Sequence, residues 1–164
     1  MPSSSIRLSA MNILALREHS VKELRIKLVK KFNDQLLEIE QLLCQLISDN
    51  LLSDDRFTEV FVRSRLGQGF GPVKICYELS SKGVDNDIIE KHMNISDDVW
   101  QEILHHTWNK KYLNKKNSTK NKTNEPNRPR HFQEQKQEQV KQSRFLQQRG
   151  FSHSQIKTFF NRNK

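Results

Sequence analysis

Only two cysteines, Cys44 and Cys76, occur in 164 residues, and no Cys-x-x-Cys pair exists. Both lie inside apolar helical patterns, so buried, reduced thiols and a cytoplasmic compartment are expected. Long apolar runs are missing. No stretch reaches the roughly 18–20 residues needed to cross a bilayer, and Met1-Pro2-Ser3-Ser4-Ser5-Ile6-Arg7 lacks the apolar run of a signal peptide. No segment alternates apolar and polar residues long enough to read as a strand. The usual chemistry-bearing sets are absent too. Gly67-Gln68-Gly69-Phe70-Gly71 has the wrong spacing for a phosphate-cradling P-loop, follows no strand and precedes no Gly-Lys-Ser/Thr. The adjacent His105 and His106 point to different helix faces, which disfavours a metal pair. Asp97 and Asp98 read as acids in a helix's first turn, where the macrodipole favours them. No nucleophile–base set emerges, so the expectation is a protein without catalysis, cofactor or metal.

What is present is positive charge. Lys and Arg number 28 against 19 Asp and Glu, a net +9, with a mean hydropathy of -0.81. Such a balance favours polyanion partners, because cations that neutralise phosphates release condensed counterions. A basic but otherwise bland surface is the alternative on charge alone. Aromatics at 8% are too many for a fully disordered chain.

Helical periodicity runs through most of the chain. Ile6, Ala10, Ile13 and Leu14 form a first stretch. Ser20 and Glu23 make a capping-box signature ahead of Val21, Leu24, Leu28 and Phe32. Leu36, Ile39, Leu43, Leu46 and Ile47 follow, closed by Asn50, which tolerates the left-handed conformation. Ser53 caps a helix with Asp54 and Asp55 in its first turn and Phe57, Val60 and Phe61 on one face. Pro72 suits the first position of the next helix, which carries Val73, Ile75, Cys76 and Leu79. Asp85 caps Ile88, Ile89 and Met93, and Ser96 starts a helix with Trp100, Ile103, Leu104, Trp108 and Tyr112. Residues 113–131 carry six Lys or Arg and one acid, a net +5; without periodicity they read as a flexible basic linker. A Gln-rich helix and a last helix, capped by Ser152 and holding Ile156, Phe159 and Phe160, end the chain.

The stop signals recur. Leu79-Ser80-Ser81-Lys82-Gly83-Val84 matches Leu146-Gln147-Gln148-Arg149-Gly150-Phe151, and Ser20-Val21-Lys22-Glu23-Leu24 opens a helix as Gly71-Pro72-Val73-Lys74-Ile75 does. The pattern predicts an all-α protein of tandem three-helix repeats in three units, 6–52, 53–95 and 96–162, after a tail 1–5, with the linker 113–131 inside the third. One such unit buries too little apolar surface alone, so stacking into an elongated, curved array completes the core.

These residues resemble the RecX family, small regulators of the RecA recombinase. The resemblance rests on Leu16-Arg17-Glu18-His19-Ser20-Val21-Lys22-Glu23-Leu24, Leu52-Ser53-Asp54-Asp55-Arg56-Phe57 and Gly69-Phe70-Gly71-Pro72-Val73-Lys74-Ile75-Cys76-Tyr77-Glu78-Leu79. It continues through Lys82-Gly83-Val84 and Arg144-Phe145-Leu146-Gln147-Gln148-Arg149-Gly150-Phe151. The order and spacing of these motifs in one short basic chain carry the specificity. Phe32 stands where the family usually has glycine, and Asn50-Leu51 where Gly-Tyr is usual. The resemblance implies a monomer that binds the RecA filament and the single-stranded DNA within it, impairing filament growth, ATP turnover and strand exchange. A general basic helical module that binds nucleic acid without a recombinase partner is the competing reading.

Candidate filament-facing residues follow from charge and place. Arg63 and Arg65 flank a helix end, and Lys74 opens the next helix, where free amides and a cation would suit an anion. Arg56 reads equally as a filament contact or as the partner of a nearby acid. Lys110 and Lys111 precede the basic segment and could track a phosphate backbone. Lys82, Arg144 and Arg149, within the motifs above, complete the set. For any one of them a solvated basic face is the competing reading. Trp100 and Trp108 read as core, with base stacking as the alternative.

Overall fold

The structure, a computed structural model, describes residues 4–116 and 130–162, and every described element is helical. Among the described residues nine helices follow in order: α1 Ser4–Leu14, α2 Val21–Lys31, α3 Leu36–Ser48, α4 Asp54–Gly67, α5 Pro72–Ser81, α6 Asn86–Met93, α7 Asp97–Lys116, α8 Arg130–Gln148 and α9 His153–Arg162. They fall in chain order into three-helix repeats. Helix α7 runs on to Lys116 and α8 starts at Arg130, so both ends of the expected linker 113–131 are helical; residues 117–129 lie outside the described ones. No described helix is long and apolar enough to cross a membrane.

The chain forms two compact units, Met1–Ser64 with Cys76–Asn94, and Arg65–Ile75 with Ile95–Lys164. In the first, the apolar face of α1 (Ile6, Ala10), of α2 (Leu24, Leu28) and of α3 (Ile39, Leu42, Leu43, Leu46) closes on Leu52 in one cluster. Each of these side chains is at most 1% exposed, and burying one leucine contributes about 1.5–3 kcal/mol. Cys44, expected in this core, is exposed. It falls between Leu43 and Gln45 on the far side of the apolar stripe. In the second unit, Trp100, Leu104, Leu146, Phe151, Ile156 and Phe159 are buried. Trp108 adds ring contacts to Tyr112 at 5.7 Å and Phe159 at 5.8 Å, and its indole N–H donates to Gln142. Trp100 therefore serves as core, and the half-buried Trp108 packs against its edge.

Helix ends follow local chemistry closely. Asn50 has φ 55°, and its neighbour's amide, that of Leu51, donates to Leu46 O. The same bond recurs from Val84 to Leu79 O past Gly83, and from Phe151 to Leu146 O past Gly150. A left-handed residue thus turns the chain and satisfies carbonyls that the helix leaves over. Ser152 caps α9 fully: its hydroxyl accepts from Gln155 N, and Gln155 Oε1 accepts from Ser152 N.

Candidate nucleic-acid interface

Two joints of one design occupy the two units. In the first unit the start of α2 meets the end of α5. The Ser20 hydroxyl donates to Lys82 O at 2.8 Å while accepting from Glu23 N at 3.1 Å, and Lys22 Nζ reaches Ser81 O at 3.1 Å. In the second unit the start of α5 meets the end of α8. Gly71 N donates to Arg149 O at 2.8 Å and Val73 N to Gly150 O at 3.0 Å. At each joint the positive end of one helix dipole adjoins the negative end of another. The expectation that the N-terminus of α5 offers free amides to an anion is therefore corrected, since the amides of Gly71, just before α5, and of Val73 within it are already taken by the Arg149 and Gly150 carbonyls that follow α8.

The side chains at the first joint are neutralised. Glu23 accepts from Lys82 at 2.5 Å and from Arg17 at 3.1 Å. Burial alone would raise its carboxyl, but the hydrogen bonds from Lys82 and Arg17 hold it below the usual carboxylate range. The capping box is thus half realised: Ser20 caps as expected, whereas Glu23 turns to cations rather than back to the Ser20 amide. Asp54 and Asp55 depart similarly from their own helix. Asp54 caps α2 by accepting from Val21 N at 2.9 Å, and Asp55 accepts from Lys91 and His92 of α6. Burial pushes the Asp54 carboxyl up.

Three expected filament contacts belong to this neutralised group. Arg56 Nε donates to Glu18 at 3.0 Å and its Nη1 to both oxygens of Asn50. Arg63 pairs with Glu59 one turn away. Lys82, besides holding Glu23, lies 5.5 Å from the Phe61 centroid. Arg56 and Lys82 thus each hold contacts within the fold.

The second joint is different in kind. Arg65, Lys74 and Arg149 surround the Phe70 ring at 5.3, 4.6 and 5.0 Å from its centroid. Lys111 Nζ stands 3.6 Å from the Phe145 centroid, and Arg149 5.4 Å from it. Each such contact contributes about 0.5–2 kcal/mol and fixes a cation without neutralising it. Arg149 is further oriented by Gln68 O at 3.1 Å, and Thr107 donates to Gly69 O at 3.4 Å. A pocket of about 310 Å³ opens here, lined by Gly67, Gln68, Gly69, His106, Thr107, Lys110, Lys111, Phe145 and Arg149, with no carboxylate in its wall. Arg144 is exposed on α8. Among the described residues no carboxylate pairs with Lys74, Lys110, Lys111 or Arg149.

A second depression in the same unit, about 680 Å³, is lined by Asp98, Glu102, His105 and Arg162 among others. Its charges are mixed, and Asp98 meets Arg162 at 4.0 Å. No group among the described residues could hold a metal ion. Sequence reasoning missed Phe70 and Phe145, which organise the cations. Their signal was an aromatic within five residues of two or more basic ones, Arg65 and Lys74 for Phe70 and Lys141, Arg144 and Arg149 for Phe145.

Residues 53–93, which hold α4, α5 and α6, match the family model for the second three-helix domain of RecX. The chain is 36% identical over 148 residues to the regulatory protein RecX of Pseudomonas putida (strain GB-1), covering 90% of this chain and 83% of that one. It is 34% identical over 152 residues to the regulatory protein RecX of Pseudomonas entomophila (strain L48), covering 93% and 87%. This chain belongs to the RecX family. The RecX fold agrees: the crystal structure of RecX from Lactobacillus salivarius superposes with a TM-score of 0.73 at 24% identity, over 97% of this chain and 94% of that one. A second RecX crystal structure gives 0.71 at 19% identity, over 96% and 71%.

Proposed function

We propose that this protein binds the RecA–single-stranded DNA filament in the cytoplasm and negatively modulates RecA: its ATPase activity, strand exchange and filament extension. The observation that carries the reading is similarity along nine-tenths of the chain to proteins named regulatory protein RecX. Lys74, Lys110, Lys111 and Arg149, which pair with no carboxylate among the described residues, supply a surface suited to it, and the protein acts by binding rather than by turnover. Of the nine residues expected at the interface, Arg65, Lys74, Lys110, Lys111 and Arg149 gather in that unit around two aromatic rings and one pocket. Arg144 adds exposed charge nearby in sequence. The test is a titration of the protein into RecA turning over ATP on single-stranded DNA. Inhibition at amounts below one protein per RecA is expected; no effect across a wide range removes the reading.

The same cation cluster favours a second reading, a basic module that binds bare nucleic acid with no recombinase partner. It requires tight binding to uncoated strands with a steep dependence on salt. Weak binding to bare DNA alongside strong binding to coated filaments decides against it.

A further inference from the structure

The two joints share a backbone plan and differ in one charge. Leu24 and Leu28 of the first correspond to Ile75 and Leu79 by the matched helix openings, and all four are 0% exposed. In that register Glu23 corresponds to Lys74. The matched stops place Lys82 opposite Arg149, and both residues offer their carbonyl to the incoming helix at 2.8 Å, to Ser20 Oγ and to Gly71 N. So where the first joint has a carboxylate between Arg17 and Lys82, the second has Lys74 beside Arg149. Both of these lie within 5.0 Å of the centre of one ring, Phe70. Like charges held so close are mutually repulsive, and an anion from outside relieves the repulsion.

We propose that the second joint binds a phosphodiester of single-stranded nucleic acid, which takes at Lys74 and Arg149 the place that the Glu23 carboxylate takes at Lys82. Arg149 also borders the neighbouring pocket, where Lys110 and Lys111 meet the next phosphate along the strand. A strand suits the site better than a protein carboxylate. One carboxylate offsets one charge, whereas a strand carries a charge on every nucleotide, and four cations here pair with no carboxylate among the described residues. Arginine adds a planar fork that matches two phosphate oxygens. This inference deepens the proposed function, on which it rests for the identity of the strand.

The test uses the full chain, a fluorescent oligothymidylate and inorganic phosphate as probes. Lys74→Glu rebuilds the chemistry of the first joint beside Arg149, so its melting temperature stays at or above that of the wild type. Its affinity for the oligonucleotide falls about tenfold or more, and for Lys74→Gln the plot of log affinity against log salt flattens by about 0.7. Lys74→Arg keeps the charge and binds within about twofold of wild type, and Lys157→Gln, an exposed α9 cation away from the joint, does the same. Wild-type affinity in Lys74→Glu overturns the proposal, as does an equal loss in Lys157→Gln. Inorganic phosphate competes only weakly if the site reads a strand; competition as strong as that of the oligonucleotide means a free-phosphate site and overturns it. If Lys74→Glu weakens binding to RecA-coated strands and leaves bare strands untouched, the ligand is a protein carboxylate and the proposal falls. RecA ATPase measured in parallel keeps the two readings apart. A wild type without effect on RecA, yet with strand binding that needs Lys74, ends the functional reading and leaves this inference standing.

Discussion

At the first joint a carboxylate pairs with the cations, whereas at the second an aromatic ring holds Lys74 and Arg149. Both joints bring a helix start against a left-handed turn, and both use the same carbonyl–donor contact. In the first, Glu23 gathers Arg17 and Lys82, and His19 fills the loop before the helix. In the second, Lys74 replaces the acid and Phe70 replaces the histidine. The repeat therefore conserves packing while its charge is free to change, because the buried leucines and the turn set the geometry and the rim side chains do not. An electrostatic surface is made by altering one rim position of a joint that already folds.

The glycines offer the sharpest break. A Cβ on Gly71 would lie 2.4 Å from Gly150 O, and one on Gly150, at φ +90°, would lie 2.6 Å from Lys74 N. Backbone blocks both. Gly71→Ala and Gly150→Ala are each expected to cost about 3 kcal/mol, read from the urea midpoint. Gly83, at φ +78°, meets only the side chain of Lys22, with the nearest atom Cδ at 2.8 Å. Gly83→Ala should cost about 1–2 kcal/mol, mostly left-handed strain. Equal losses at Gly83 and Gly150 would show that the joints pack with equal tightness and remove the contrast.

Charge gives the next effect. Glu23→Gln leaves Lys82 and Arg17 facing an amide and is expected to cost about 1–2 kcal/mol at neutral pH. The Glu23 carboxyl is held below its usual range in the folded state, so its contribution is complete above the unfolded value near 4.5 and is lost as pH falls through the folded one. Hydrogen exchange separates the joints, because the Val84 amide reports the first and the Phe151 amide the second. Acid, or Glu23→Gln, should lower protection at Val84 more than at Phe151. Arg56→Gln sets the complementary test. It should lower stability by about 1 kcal/mol through lost contacts to Glu18 and Asn50 and leave oligonucleotide binding unchanged. A binding loss matching that of Arg149→Gln would place Arg56 in the interface after all.

Most of the helices, the left-handed Asn50 and the doubled stop motif were legible in the sequence, because periodicity and capping are local properties. The partners of polar side chains were not. Asp54 caps a helix that begins 33 residues earlier, Arg56 finds Glu18 at a separation of 38, and Lys82 finds Glu23 at 59. Such pairings exist only once the repeats are stacked. The candidate site was therefore legible as a list of cations, while its division into neutralised and open groups was not. Cys44 was misplaced for a related reason: an apolar neighbourhood in sequence does not say which side of α3 faces the core.

The smallest expected effect concerns His19, the counterpart of Phe70. Its ring is 1% exposed, with Nδ1 2.9 Å from Arg17 O and Nε2 2.7 Å from Lys27 Nζ. A lysine ammonium has only protons to give, so Nε2 accepts and the proton sits on Nδ1, directed at the carbonyl. Protonating Nε2 would set two cations against each other. Burial, with Arg17 and Lys27 adding to it, holds the His19 value below 6.5 against the opposing pull of the Arg17 carbonyl and Glu23. A folded value lower than the unfolded one means that the unfolded chain binds the extra proton first. Stability from this group is thus present above 6.5 and lost as pH falls below it. Between pH 7 and pH 5.5 the melting temperature should drop by a few degrees, with Val84 protection falling and Phe151 protection steady. His19→Phe copies the second joint and should flatten that slope. If the slope survives the substitution, another group titrates there and the histidine is only a space-filling neighbour of Lys27.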